Sequence, residues 1–196
     1  MSLVLASASP ARRRMLEAVG LSFEVKSPRV DEEAAKASLR AEGLRPREQA
    51  VALAELKALS IAPSDSGLVI GADQMLAVGN DTFDKPKSAA EAREQLLRLR
   101  ARTHELLTAV AIARDGAVIW RCVDTPKLTM RAFSEAFLED YLVRAGDRVL
   151  RSVGAYQLEG LGAQLFERIE GDYFSVLGLP LLPLLAFLRE HGVAQP

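Results

Sequence analysis

The sequence predicts an α/β protein in which a mixed central sheet is flanked by helices. One observation points to this class, and a second points to the number of domains. Along the chain, apolar residues alternate between a repeat near two, typical of strands, and a repeat near 3.6, typical of helices. No internal repeat, low-complexity stretch or Pro/Gly/Ser-rich linker divides the 196 residues. One domain over residues 1–196 is therefore expected.

The N-terminal part is predicted to alternate strand and helix. Leu3–Ala6 has the pattern of a buried strand. Ser9-Pro10 then begins a helix, because serine is a preferred N-cap and proline suits the first helical position. Met15, Leu16 and Val19 would form its apolar stripe, and the helix ends at Gly20. The next predicted elements are a short strand at 22–26 and helices at 31–42 and 46–61.

The rest of the chain is predicted from apolar runs and turn residues. The apolar run 67–72 is a strand that ends at Asp73, with a continuation over 75–78 left open. Asp115-Gly116 is a hairpin signal between two apolar runs. The remaining predicted elements are a capped helix from Ser88 to Leu99, strands at 106–113 and 117–122, a helix from Ser134 to Ala145, an extended glycine-rich stretch at 154–169, and a helix from Leu181 to Gly192.

Composition excludes several classes of protein. With 25 basic and 26 acidic residues, the chain has no general basic field for a nucleic-acid polymer. One cysteine, Cys122, cannot form an intrachain disulfide or a Cys-rich zinc site. The longest apolar run, residues 176–188, is too short for a membrane span and holds two prolines. The N-terminal basic cluster follows the apolar stretch, the reverse of a signal peptide, so a cytoplasmic protein is expected.

Three segments could bind an anion or do chemistry. Arg12 and Arg13 lie near a helix N-terminus, where backbone N–H groups and guanidinium groups together favour phosphate. Asp73 follows a buried strand, where α/β sheets usually bind ligands, and it could hold Mg²⁺ or take a proton from water. Lys85 precedes a helix and could offer a point charge to phosphate. The alternatives are a solvated basic face, a turn aspartate and an exposed loop lysine.

Other polar and aromatic residues point to structural roles. His104 and His191 lack the spacing of metal ligands, and His104 is expected to make a structural hydrogen bond. Trp120, Tyr173 and Phe174 are expected to pack rather than to stack on a base.

Together, these segments resemble the Maf family of nucleoside triphosphate pyrophosphatases. The segments that carry the resemblance are, in chain order, Leu5 to Arg13 (LASASPARR), Val30-Asp31-Glu32, residues 53–58 (LAELKA), Gly71-Ala72-Asp73-Gln74, Lys85-Pro86, Thr103-His104 with Thr108, residues 154–160 (GAYQLEG), and Gly171-Asp172-Tyr173 with Gly178-Leu179-Pro180. Each segment is short, but eight in order at suitable spacing are specific.

The resemblance implies an architecture related to inosine triphosphatases, with an active-site cleft and a divalent metal, Mg²⁺ or Mn²⁺. It implies a hydrolase that cleaves a nucleoside triphosphate between the α- and β-phosphates and so removes non-canonical nucleotides. Residue by residue, it implies that Asp73 is the catalytic proton acceptor and that Glu32 joins it at the metal. The phosphate-binding positions that it implies are Ser9, Arg12 or Arg13, Lys57 and Lys85.

Base specificity rests on three positions of the resemblance. Gln74 and Glu159 are similar to the 7-methyl-GTP branch of the family, whereas Ala11 lacks the aromatic side chain often found there. An ionised Glu159 only accepts hydrogen bonds, which suits the N1–H and N2–H donors of guanine, and Gln74 could read a nearby carbonyl. A guanine-type substrate such as 7-methyl-GTP is therefore expected. Asp84, Arg100-Ala101 and Ser152 depart from the family pattern as well.

Two other functions stay open at this point. One is a non-catalytic nucleotide-binding regulator of cell division, since the family is linked with arrest of septum formation. The other is a pyrophosphatase that prefers dTTP or UTP. The presence of both acids, Glu32 and Asp73, favours an enzyme, since a regulator would not need them. The expected partner is a nucleoside triphosphate, without a nucleic-acid polymer or a membrane, and the sequence leaves a homodimer open.

Overall fold

A computed structural model describes residues 2–61 and 67–195. The chain divides into two compact units, each built from separate segments. The first unit comprises the described parts of Met1–Gln74, Thr108–Asp124 and Asp172–Pro196, and the second comprises Met75–Leu107 and Thr125–Gly171. Within the described ranges, no helix combines the length and the apolar character that crossing a bilayer requires. The expectation of one domain over 1–196 stays a prediction.

The first unit contains most of the sheet and five helices of the described part of the chain. Its strands are β1 (Leu3–Ala6), β2 (Glu24–Lys26), the first part of β3 (Leu68–Val78), the second part of β5 (Thr103–Arg114) and β6 (Ala117–Asp124). Its helices are α1 (Pro10–Ala18), α2 (Glu32–Ala41), α3 (Pro46–Leu59), α6 (Tyr173–Val176) and α7 (Leu181–Glu190). The hydrogen-bonding order is β2-β1-β3-β5-β6. Strand β1 pairs in parallel with β2 and β3, whereas β5 and β6 form an antiparallel hairpin, so the sheet is mixed.

Helices cover both faces of this sheet. Leu3 and Leu5 of β1 face the side on which α1 and α7 pack. Val4 and Ala6 face the side that Ala58 of α3 covers. This alternation follows from the period of two along a strand. The mixed sheet flanked by helices is therefore confirmed.

An aromatic stack joins β6 to α7 in the first unit. Trp120 stacks on Phe187, with ring centroids 5.0 Å apart. Phe187 stacks in turn on His191, at 4.0 Å. The prediction that Trp120 packs is confirmed, whereas Tyr173 is 52% exposed, so its predicted packing role is wrong.

The second unit combines antiparallel strands with helices. The end of β3 pairs with β4 (Asp81–Phe83), and the start of β5 pairs with β7 (Lys127–Met130), which pairs with β8 (Phe166–Glu170). Helices α4 (Ala89–Leu99) and α5 (Glu135–Ala145) belong to this unit. Residues 146–151, 153–155 and 161–165 form 3₁₀ turns, so the extended stretch predicted at 154–169 is wrong except at β8. The glycines there permit tight turns in place of the predicted extended chain.

A buried histidine lies in the second unit. His104 Nε2 is 2.7 Å from the Tyr156 hydroxyl, which confirms the predicted structural hydrogen bond. Its Nδ1 is buried with no hydrogen-bond partner among the described residues. Burial lowers the pKa of His104 to about 4, from an ordinary value of 6.5. The imidazole is therefore neutral at pH 7.

This lowered pKa predicts a loss of stability in mild acid. Because the unfolded chain binds the His104 proton more tightly, the full stabilisation is present above pH 6.5 and is lost as the pH falls toward 4. The free energy of unfolding should fall by about 3 kcal/mol from this group. Urea denaturation at pH 7.5 and pH 4.5 measures it, with His104→Gln as the comparison. The prediction fails if the variant loses as much stability between the two pH values as the native chain does.

Candidate active site

The site begins at the turn between β1 and α1. Strand β1 ends at Ala6, opposite Gly71 of β3. The Ser9 hydroxyl caps α1 by accepting a hydrogen bond from the Arg12 backbone N–H at 3.4 Å, as the sequence predicts. The Ser7 hydroxyl accepts one from the Ser9 N–H at 3.2 Å. The first turn of α1 holds no acidic side chain, so its positive end can attract an anion.

Arg12 points from α1 into the interior of the first unit. Its Nε donates to the Gly178 carbonyl at 2.7 Å. Its Nη1 lies 3.0 Å from the Ala72 carbonyl and 3.2 Å from the Ser7 hydroxyl. Burial lowers the pKa of Arg12, while the carboxylates of Asp73 and Glu32 raise it. The guanidinium stays charged under any ordinary condition and places a cation close to both acids.

Arg13 does not accompany Arg12. Its Nε pairs with Glu17 Oε1 at 2.7 Å, one helical turn further along α1, and both side chains are exposed. Neighbouring residues on a helix point about 100° apart, so the two arginines leave α1 in different directions. The structure brings Arg12 to the acids and keeps Arg13 on the outer face of α1.

Two acids and a lysine form the charged centre of the site. Lys57 Nζ of α3 is 2.7 Å from Asp73 Oδ1 and 3.0 Å from Glu32 Oε1 at the start of α2. The Lys57 and Asp73 side chains are both buried, whereas the Glu32 side chain is 46% exposed. Asp73 Oδ2 is buried and has no hydrogen-bond partner among the described residues. A carboxylate oxygen is therefore ready to accept a proton or to join a cation.

Gly71 explains how α3 comes so close to the strand that carries Asp73. A Cβ at residue 71 would overlap the Ala54 carbonyl oxygen and the Ala58 nitrogen of α3. Only glycine permits this approach of a helix to the strand. Residues 71 and 73 share one face of β3, because side chains alternate along a strand. The close approach thus places Lys57 directly over Asp73.

The position of Asp73 differs from the prediction. Strand β3 runs from Leu68 to Val78, so Asp73 lies in its middle. The predicted end at Asp73 is therefore wrong, and the continuation over 75–78, which the sequence left open, is present. The polar pair Asp73-Gln74 interrupts the apolar run, but both side chains find partners and the strand continues. The neighbouring strand β1 stops opposite Gly71, which still leaves Asp73 beside the carboxyl end of a parallel strand.

The carboxylates of Asp73 and Glu32 are suited to a divalent cation that also binds a substrate. Mg²⁺ is usually held in proteins by one or two carboxylates, with water and phosphate oxygens completing its shell. Asp73 and Glu32 supply two carboxylates that meet at one ammonium group, and Asp73 Oδ2 is buried without a partner in the described chain. The described residues hold no group of three or more His, Cys, Asp and Glu side chains suited to a metal. Water and phosphate oxygens of a substrate would complete the shell of a cation held here.

Gln74 is fixed by the interior of the first unit. Its Nε2 lies 2.9 Å from Thr108 Oγ1, 3.0 Å from the Ser175 carbonyl and 3.1 Å from the Val176 carbonyl. The donor side of this amide is thus committed within the protein. Thr108 and Ser175 contact Gln74 although neither is a predicted member of the site. The sequence signal for Thr108 is a polar side chain within the apolar run 106–113.

The remaining candidate residues are Ala11, Lys85 and Glu159. Ala11 is half-buried in the first turn of α1. Lys85 is exposed between β4 and α4, and Glu159 is exposed before the 3₁₀ turn at 161–165. Lys85 and Glu159 both belong to the second unit. Ser152, which departs from the family pattern, lies in the same unit and donates from its hydroxyl to the Tyr156 carbonyl at 2.6 Å. The structure therefore gathers Ser9, Arg12, Glu32, Lys57, Asp73 and Gln74 in the first unit.

Comparisons with known proteins agree with the resemblance in the sequence. A nucleoside triphosphate pyrophosphatase of Rhodospirillum rubrum is 56% identical over 192 residues, 97% of this chain and 95% of that protein. One of Caulobacter vibrioides is 54% identical over 188 residues, 96% of this chain and 94% of that protein. A 7-methyl-GTP pyrophosphatase of Rhizobium meliloti is 49% identical over 191 residues, 97% of this chain and 96% of that protein.

The family profile described as Maf-like protein matches residues 2–191. That range includes every candidate residue of the site, from Ser9 to Glu159. The match confirms the resemblance drawn from the eight short segments. The chain belongs to the Maf family.

Proposed function

We propose that the protein is a nucleoside triphosphate pyrophosphatase, which hydrolyses its substrate to the monophosphate and pyrophosphate and so removes non-canonical nucleotides. The observation that carries the proposal is the charged centre of Lys57, Asp73 and Glu32, in a chain 56% identical to a nucleoside triphosphate pyrophosphatase. A binding protein would gain nothing from burying an acid whose second oxygen has no partner in the described chain, since that burial is costly.

Arg12, Asp73 and Lys57 have different roles in the proposed hydrolysis. The N-terminus of α1 and the Arg12 guanidinium bind phosphate oxygens, and Arg12 also holds the Ser7 hydroxyl in place. Asp73 Oδ2 accepts the proton of the attacking water, a role that typically accounts for a factor of 10² to 10⁴ in rate. Lys57 holds Asp73 Oδ1, so that the free oxygen faces a fixed direction.

A divalent cation, Mg²⁺ or Mn²⁺, fits the carboxylates of Asp73 and Glu32. When bound, it would offset the charge of the triphosphate and polarise the phosphoryl oxygens. Glu32 is the more exposed of the two acids and can turn toward such a cation without leaving a buried site.

The proposed substrate is a guanine-type triphosphate such as 7-methyl-GTP. The support comes from Glu159, an exposed carboxylate that suits the two adjacent N–H donors of guanine. A relative at 49% identity is named a 7-methyl-GTP pyrophosphatase, which agrees with this choice. Lys85, from the same unit as Glu159, is proposed to bind phosphate as a point charge.

A nucleotide panel tests the function. Purified protein with Mg²⁺ or Mn²⁺ is incubated with 7-methyl-GTP, GTP, dTTP and UTP, and orthophosphate is measured with and without added inorganic pyrophosphatase. We expect orthophosphate only when that enzyme is added, with the highest kcat/KM for a guanine-type substrate. Binding without turnover of any nucleotide would instead support the non-catalytic regulator. A clear preference for dTTP and UTP would overturn the role of Glu159.

The two arginines give a matched prediction. Arg12→Lys should lower kcat/KM about tenfold or more, because one ammonium group cannot replace a planar fork bound to Gly178, Ala72 and Ser7. Arg13→Lys makes the same chemical change at an exposed ion pair and should stay within about twofold. Equal losses of kcat/KM in the two variants would indicate instead that Arg13 also binds phosphate.

A further inference from the structure

The chain around α6 is tied to the strand that carries Asp73. We call residues 172–178 the α6 segment. Gln74 Nε2 donates to the carbonyls of Ser175 and Val176, at 3.0 and 3.1 Å. Arg12 Nε donates to the Gly178 carbonyl at 2.7 Å. The segment is thus held at three carbonyl groups by two side chains of the candidate site.

Thr108 completes this attachment from inside the sheet. Its hydroxyl donates to the Ser175 carbonyl at 2.9 Å and accepts from Gln74 Nε2 at 2.9 Å. Thr108 is 0% exposed, so it cannot touch a substrate. Any effect of Thr108 on catalysis must therefore act through Gln74 or the α6 segment.

The hydrogen bonds of Gln74 leave it no donor for a base. An amide nitrogen has two hydrogens, and three acceptors lie within 3.1 Å of Gln74 Nε2. A direct reading of a base carbonyl, the role expected for Gln74 from the sequence, would require breaking these bonds. The amide instead holds the backbone of Ser175 and Val176.

The α6 segment presents an exposed aromatic ring. Tyr173 is the first residue of α6 and is 52% exposed. Its ring meets the edge of Phe174, at a centroid distance of 6.1 Å, and Phe174 packs against the core. The Asp172 carboxylate caps the segment by accepting from the Ser175 N–H at 2.7 Å. The α6 segment, which carries the Tyr173 ring, is therefore fixed at both of its ends.

We propose that Tyr173 supplies an aromatic face for the base and that Gln74 and Thr108 are positioning residues that fix this face. The inference rests on the proposed function and adds the residues that select the base. A 7-methylguanine ring carries a positive charge, which favours an aromatic face. Ala11 offers no such face, and the Tyr173 ring lies on the segment that Gln74 and Arg12 hold. The Gln74 side chain thus acts on base selection through the backbone of Ser175.

Variants of Tyr173 test the aromatic face. Tyr173→Leu should raise KM for 7-methyl-GTP about tenfold, the scale of one base–aromatic stack, and raise KM for UTP by less than about threefold. Tyr173→Phe keeps the ring and should keep the native ranking of substrates. Leu182→Ala alters another exposed apolar residue of the same unit and should change neither constant. An unchanged ratio of the two KM values in Tyr173→Leu would overturn the proposal.

Variants of Thr108 test the positioning role. Thr108→Val keeps the shape but removes the hydroxyl, and it should shift the substrate ranking in the direction of Tyr173→Leu. Thr108→Ser keeps the hydroxyl and should restore the ranking. In the double variant Thr108→Val/Tyr173→Leu, the ratio of KM values should be that of Tyr173→Leu alone. A uniform fall in kcat/KM for every nucleotide would mean that Thr108 is only structural.

A binding measurement separates this proposal from the proposed function. Calorimetric titration with 7-methyl-GMP and UMP needs no hydrolysis. If the native protein releases no pyrophosphate yet binds 7-methyl-GMP more tightly than UMP, and Tyr173→Leu removes the difference, the enzyme proposal fails and the aromatic face stands. If hydrolysis is observed and Tyr173→Leu leaves both affinities unchanged, the aromatic face fails and the enzyme stands. Absence of both hydrolysis and binding would overturn both.

Discussion

Asp73→Asn is expected to fold and to lose at least about 100-fold in turnover. The amide has the size of the carboxylate, but it cannot take a proton from water, and a general base typically contributes a factor of 10² to 10⁴. Folding should survive because Lys57 keeps its second partner, Glu32, at 3.0 Å. Pyrophosphate release at saturating nucleotide measures the loss, and circular dichroism checks the fold.

The hairpin turn offers a matched control for Asp73→Asn. Asp115→Asn makes the same change at an exposed residue with a positive φ of 51°, a conformation that asparagine tolerates well. Its turnover should equal that of the native protein. A folded Asp73→Asn protein with near-native turnover would remove Asp73 from the mechanism.

Lys57→Met should cost the most stability among the site variants, about 3 kcal/mol of the free energy of unfolding. It removes one partner of a buried ion pair and leaves the Asp73 carboxylate buried without its cation, a change that typically costs 3–5 kcal/mol. Arg12 remains near Asp73, which places the expected cost at the lower end of that range. Turnover should fall as well, because Asp73 Oδ1 loses the group that orients it.

Two further variants serve as comparisons for Lys57→Met. The free energy of unfolding of each is measured by urea denaturation at pH 7.5. Lys26→Met removes the same side chain from a more exposed ion pair with Glu24 and should cost less than about 1 kcal/mol. Adding Asp73→Asn to Lys57→Met should recover part of the loss, because the buried charge is then gone. A Lys57→Met protein as stable as Lys26→Met would show that the ion pair contributes nothing measurable.

Local patterns predicted most of the elements of the fold. Ser9, Ser88 and Ser134 each cap the helix that the sequence places after them. The predicted hairpin turn at Asp115-Gly116 joins β5 to β6. These signals act within a few residues, which is why they can be recognised without the tertiary structure.

Helix periodicity carries information about which side chains of α1 and α3 face the site. Met15 and Leu16 are buried on α1, and Arg12 lies three and four residues before them, on the same face. That spacing predicts a buried Arg12, whereas Arg13 lies about 100° away around the helix and is exposed. On α3, Lys57 lies on the buried face with Leu53 and Ala54. Leu56 is 40% exposed, because it lies about 100° away from Lys57 around the helix.

The contacts that define the α6 segment could not have been predicted in this way. The hydrogen bond from Arg12 to Gly178 spans 166 residues, and the one from Gln74 to Ser175 spans 101. No periodicity or capping signal links positions so far apart. The same holds for Tyr173, whose exposure depends on what the rest of the chain leaves uncovered.

The aromatic stack on α7 makes the native protein its own spectroscopic reporter. Trp120 is the chain's one tryptophan, and it lies in the first unit, against Phe187. Its fluorescence during heating follows the packing of α7 there, whereas far-ultraviolet circular dichroism averages the helices of both units. Coincident melting curves would indicate two-state unfolding of the whole chain, and a fluorescence change at lower temperature would mean that the first unit melts first. Cooperativity between the units can therefore be measured without any label.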